Sequence, residues 1–185
     1  MYHLILTLTL ALGGVPEAAS KAQRGAGQPA GDLRERVETF LATIDTAVTE
    51  RQWRELGPDA AALLMEIASA RDQLPTRRAR AVEALGMRQD AGAARLVSGL
   101  VTAASAPRAV RLAAVRAVPR LSRASAQVTL APLLQDADVQ VRAAAAGALA
   151  TLGAGGCRLV AQRLLRETGE ERALLERTSA ACRKP

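Results

Sequence analysis

From residue 33 onward the apolar positions of this chain recur with the period of an α-helix. Leu33, Val37, Phe40, Leu41, Ile44 and Val48 lie on one helical face, and this spacing predicts a long amphipathic helix from Asp32, its N-cap, to about Glu50. Gly57 and Pro58 end it, and Pro58 suits the start of a second helix carrying Leu63, Leu64 and Ile67. Further apolar rows follow at Leu96, Val97, Leu100 and Val101, at Leu130, Leu133 and Leu134, and at Leu159, Val160 and Leu164. Turn signals separate them at Asp90 and Gly92, at Ala106 and Pro107, from Asp136 to Asp138, and from Gly153 to Gly156. No strand is predicted.

The first residues obey a different pattern. Leu4 to Val15 is an unbroken apolar run, too short to span a bilayer, followed by Pro16 and the small residues Ala18, Ala19 and Ser20. This is the pattern of a signal peptide over residues 1–20, with cleavage after Ser20 or after Ala22. The run is preceded by no Lys or Arg, only His3, so a packed N-terminal helix and an uncleaved anchor remain as alternatives. No Cys follows the run, which argues against a lipoprotein. Residues 21–31 are rich in Gly, Ala and Pro and read as a flexible linker, so a folded domain is expected over 32–182 with a short tail at 183–185. Export to the periplasm or cell exterior follows, with no transmembrane span once the signal is removed.

Composition narrows the fold class to all-α. Aromatic residues make up only 2%, namely Tyr2, Phe40 and Trp53, while Ala and Leu, strong helix formers that pack closely, dominate. The formal net charge is +7 and almost entirely Arg, since Lys21 and Lys184 are the only lysines. Such an excess fits nucleic acid, an anionic surface or an acidic partner. It fits equally a set of arginines solvating helix faces, and no dense basic block marks a nucleic-acid tail.

Beyond Pro75 the chain repeats itself. Arg78 to Gly86 (RARAVEALG), Val110 to Val118 (VRLAAVRAV) and Val141 to Leu149 (VRAAAAGAL) align, with Arg78, Arg111 and Arg142 in register, followed by Ala81, Ala114 and Ala145. The intervals are 33 and 31 residues, and a degenerate fourth copy puts Arg172 in the same place. A period of about thirty residues with two helices per unit predicts a solenoid. The segment Leu133 to Gly153 (LLQDADVQVRAAAAGALATLG) carries a resemblance to the HEAT-like repeat family that extends roughly over residues 59–182. The resemblance implies a right-handed superhelix of about four hairpins and a closing helix, in which the Asp and Arg of successive units pair. Asp136 stands six residues before Arg142 and Asp72 six before Arg78, whereas Ser105 and Arg166 occupy the corresponding places before Arg111 and Arg172, so the ladder is expected to be discontinuous. Pro119, inside a first helix, is expected to kink or end it.

Little in the chain suggests catalysis. His3, the only histidine, lies in the apolar leader, which removes His-based nucleophile systems and the commonest zinc sets from the mature chain. Gly153, Gly155 and Gly156 read as a helix connection, not a phosphate cradle. Asp136 with Asp138 and Glu170 with Glu171 stand at helix starts, where caps and dipole contacts explain them. No catalytic, metal or cofactor set is predicted. Cys157 and Cys182 flank a turn near Gly169 at similar distances, which sets them side by side and suits a disulfide. The alternative is two small buried residues, since Cys182 aligns with Leu121 and Leu152.

The function expected is binding or scaffolding of another protein. The resemblance implies a concave face built from second helices, on which Arg158, Gln162 and Arg166, with Arg95 earlier, are the candidate partner surface. A cytosolic nucleic-acid-binding role is the alternative, disfavoured by the leader and by the lack of aromatic residues for base stacking. An accessory subunit of a HEAT-like lyase rests on the resemblance alone.

Overall fold

The computed structural model describes residues 30–43 and 46–183; the apolar leader, most of the polar segment 21–31 and the final Lys184 and Pro185 lie outside the described residues. The regular structure among the described residues is all helical, with no strand. The helices are α1 (Ala30–Ala42), α2 (Glu50–Glu55), α3 (Ala60–Ser69), α4 (Pro75–Arg88), α5 (Ala94–Thr102), α6 (Arg108–Leu121), α7 (Arg123–Leu130), α8 (Val139–Ala150), α9 (Ala154–Leu164) and α10 (Gly169–Thr178). Short 3-10 turns occupy Ala91–Ala93, Ala131–Gln135 and Ala180–Arg183.

The single helix expected from Asp32 to about Glu50 is interrupted. Helix α1 ends at Ala42, and α2 begins afresh at Glu50 under a capping box: Thr49 Oγ1 accepts from the Gln52 N–H at 3.3 Å while Gln52 Oε1 accepts from the Thr49 N–H at 2.9 Å. The Thr-x-x-Gln signature wins over the apolar period because it satisfies N–H groups that a new helix start would leave open. Asp32 sits within the first turn of α1 and is not its cap. The row Leu130, Leu133 and Leu134 is likewise divided, between α7 and the 3-10 turn Ala131–Gln135, where Pro132 supplies no N–H to continue an α-helix. Pro119 lies inside α6, two residues before its last residue Leu121.

Helix α4 packs on both α3 and α6, α6 on α5 and α8, and α8 on α9 and α10. Small residues set these approaches. A Cβ on Gly86 of α4 would stand 2.8 Å from Ala117 Cβ of α6, and one on Gly147 of α8 would stand 3.1 Å from the Thr178 carbonyl oxygen. Gly156 is tighter still, because a Cβ there would overlap the Leu149 carbonyl. Gly155 and Gly156 therefore belong to the first turn of α9 and only Gly153, with φ at 85°, forms the connection from α8. One continuous apolar core runs from Val37 through Leu64, Leu85, Val115 and Leu149 to Leu175.

Candidate functional site: an arginine ladder and an open groove

Three of the four repeated arginines face inward. Arg78 and Arg142 are buried, and Arg111 is partly so. Such guanidinium groups need partners, and each finds a different set. Arg111 donates from Nη2 to Asp136 Oδ2 at 2.5 Å and from Nε to the Val101 carbonyl at 3.3 Å. Arg142 donates from Nε to Glu167 Oε1 at 2.8 Å, from Nη2 to Glu171 Oε2 at 2.7 Å, and from Nη1 to the Asp136 and Ala137 carbonyls. Glu167 also accepts from Arg163 Nε at 2.8 Å, so one buried carboxylate holds two guanidinium groups.

Each step joins one unit to the next, and both carboxylates lie 25 residues after their arginine. The ladder is discontinuous where the acid is missing. Twenty-five residues after Arg78 comes Ala103, and Arg78 instead donates from Nε to the Ala68 carbonyl at 3.1 Å, with Asp72 exposed and unconnected to it. Arg172, in the last unit, is exposed and binds Glu176 within its own helix and the Leu164 carbonyl. Glu167 escapes a search for an acid six residues before Arg172, because it stands five before.

These contacts set the acidity of both carboxyls. Burial alone would push Glu167 up, but the hydrogen bonds and charges of Arg163 and Arg142 outweigh it and hold the carboxyl below its ordinary value of 4.5. At Asp136, burial is again opposed, here by Arg111, by the Asp138 N–H and by the charge of Arg142, and the carboxyl lies below its ordinary value of 3.8. Asp138 acts as the N-cap of α8, accepting from the Gln140 N–H at 2.8 Å.

Other arginines fasten the N-terminal helices. Arg80 donates to the Leu41 carbonyl at 2.6 Å, near the end of α1. Arg88, whose side chain is 5% exposed, reaches the carbonyls of Trp53 and Gly57, the latter at 2.9 Å, and pairs with Asp90 at 2.7 Å. Thus much of the basic excess is structural. Trp53 is buried and meets Phe40 edge to face, with ring centroids 5.2 Å apart, so it offers no platform for a nucleic-acid base.

A groove of about 880 Å³ opens over α6 and α8. Its floor is Ala143, Ala144, Gly147 and Ala148 of α8, and Arg116, Arg120 and Arg123 line it from α6 and α7. Thr178, Gln89 and Glu50 also line it. A second hollow of about 630 Å³ lies between α9 and the C-terminal turn, around Cys157 and Cys182. Their Sγ atoms stand 2.07 Å apart, so the residues predicted to be side by side are at bonding distance.

The side chains singled out for a partner surface are dispersed. Arg158 and Gln162 are exposed one turn apart on α9, Arg166 is exposed beyond the helix end, and Arg95 is exposed on α5, far earlier in the chain. Arg158 lines the hollow beside the cysteines, and none of the four lines the larger groove. The larger groove lies instead on the first helices, and its signal in the sequence is the alanine run of α8, which leaves that helix apolar on its groove side as well as its core side. No helix among the described residues is long and apolar enough to cross a membrane. No known family model matches the chain, and a search of curated proteins finds no match to it.

Proposed function

We propose that this chain is a non-catalytic protein-binding or scaffold module, a short HEAT-like solenoid exported to the periplasm or cell exterior. The observation that carries the binding reading is the open groove over α6 and α8, whose floor joins half-buried Ala144 and Gly147 to the buried Ala143 and Ala148. Among the twelve residues of α8 only Gln140 and Arg142 are polar, and Arg142 points inward to Glu167, so the part of the helix that lines the groove is almost wholly apolar. The half-buried part of that floor, at Ala144 and Gly147, is apolar surface that gains from being covered.

The solenoid reading is supported by the order of packing from α4 to α6, α8 and α10 and by the two arginine-to-carboxylate steps with the same interval. Export is supported by the leader pattern and by the cysteine pair at bonding distance. Nucleic-acid binding is the weaker reading, because so many arginines are engaged internally and Trp53 is buried.

N-terminal sequencing of the chain recovered from fractions of its own host tests the compartment. A terminus at Lys21 or Gln23 in the exported fraction is the expected result; an intact Met1 in the cytosol would reject export and put nucleic acid first.

A further inference from the structure

We infer that the groove over α6 and α8 receives an acidic, amphipathic helix from a partner protein, held by Arg120 and Arg123. This rests on the protein-binding reading and adds the chemistry of the partner.

Charge complementarity commits the occupant. Four charged residues line the groove: Glu50, Arg116, Arg120 and Arg123. Glu50 already meets Arg54 at 3.3 Å and Gln89 at 3.2 Å, and Arg116 meets Glu83 of α4 at 2.7 Å. Arg120 and Arg123 are exposed and have no ion-pair or hydrogen-bond partner among the described residues. The unbalanced charge of the groove is thus positive and sits on one wall. Carboxylates on an incoming segment would complete both guanidinium groups in bidentate fashion.

The floor argues for a helix as the shape. Ala143, Ala144, Gly147 and Ala148 present nothing longer than a methyl group, so another backbone can approach closely, with its apolar side chains against Leu112 and Pro119. A shallow hollow of about 250 Å³ on α4 and α6 shares Arg116 and Arg120 with the groove and extends the track. Nucleic acid fits less well, since the wall has two free guanidinium groups and the groove lining includes no aromatic ring.

The test uses the full mature chain and a fluorescein-labelled helical peptide of about eighteen residues, with Glu on one face and Ala and Leu on the other. Anisotropy titrations compare it with the same peptide carrying Gln for every Glu, and with a fluorescein-labelled single-stranded oligonucleotide. The expected result is saturable binding of the Glu peptide, at least tenfold weaker binding of the Gln peptide, and at least a tenfold loss on Arg120→Glu with Arg123→Glu. Arg158→Glu with Arg166→Glu should leave the affinity unchanged. Thermal melts confirm that both double variants, all at exposed sites, remain folded; should the groove variant melt early, the milder Arg120→Gln with Arg123→Gln replaces it. Loss of peptide binding only on the Arg158 and Arg166 reversal would overturn the groove and leave protein binding standing. No binding of the Glu peptide, or equal binding of the Gln peptide, would overturn the acidic helix. Oligonucleotide binding without peptide binding would overturn the groove proposal and the protein-binding reading together.

Discussion

Arg142 and Glu167 form a buried pair with Nε and Oε1 2.8 Å apart, and the two residues lie 25 positions apart in the chain, the same interval that separates Arg111 from Asp136. The repeat of 31 to 33 residues between arginines thus carries a second regularity at two of its copies, the offset from Arg111 and from Arg142 to the acid that follows. The two pairs are not equally buried. The side chains of Arg142 and Glu167 are 7% and 3% exposed, against 19% and 16% for Arg111 and Asp136.

Exposure therefore predicts an order of cost. Glu167→Ala leaves Arg142 and Arg163 without their shared buried carboxylate and should destabilise the fold by about 3 kcal/mol or more. Asp136→Ala should cost less, and Glu83→Ala, which breaks an exposed pair with Arg116, less than about 1 kcal/mol. Urea midpoints at neutral pH measure all three; a Glu83 variant as unstable as the Glu167 variant would refute the ranking.

Acid should loosen the same joints. Both carboxyls are held below their ordinary values of 4.5 and 3.8 in the folded chain. A group with a depressed folded value takes up protons more readily when unfolded, so its contribution to stability is complete above the ordinary value and fades as the pH falls through the folded one. The urea midpoint should hold steady from neutral pH down to the carboxylate range and then drop. Glu167→Gln should lower the plateau and flatten the drop, a change absent in Glu35→Gln, which is exposed on α1.

Adjacent glycines in α9 should respond oppositely. A Cβ on Gly155 would meet only the Oε1 of Gln127 at 2.8 Å, the end of an exposed flexible side chain, so Gly155→Ala should change stability by no more than about 0.5 kcal/mol. Gly156→Ala drives its methyl into the Leu149 carbonyl and should cost about 3 kcal/mol or prevent folding. Thermal melts of the two variants decide the point, and equal melting temperatures would contradict the close packing of α9 on α8.

Oxidation state gives a further check. A bridge between Cys157 and Cys182 closes a loop of 25 residues around α9 and α10, for which chain entropy predicts about 3 kcal/mol. Reduction should lower the melting temperature, and Cys157→Ser should reproduce the reduced protein. Intact mass with and without prior reduction, after alkylation, should show no reactive thiol in the native protein; two alkylated thiols would rule the bridge out.

Helical content, the repeat in register at Arg78, Arg111 and Arg142, and the proximity of the cysteines were all legible in the chain, because each rests on local period or on the length of a hairpin. Interruptions were harder. Thr49 and Gln52 start a new helix inside an apolar row that continues past them, and Pro132 divides another, so local capping and missing N–H groups outweighed periodicity. Glu167 was hidden by one residue of register. The groove was hidden for a different reason: alanines on the covered and the open side of a helix look alike in sequence, and only packing shows that Ala144 and Gly147 of α8 line a groove with Arg120.

The most direct measurement is site-specific photo-crosslinking in the native host, with a photoreactive residue at Gln140 in the groove and, separately, at Gln162 on α9. A discrete protein adduct is expected from Gln140, competed away by the acidic peptide and lost on reversal of Arg120 and Arg123. A nucleic-acid adduct from Gln140, or no protein adduct from either position, would contradict protein binding in the groove.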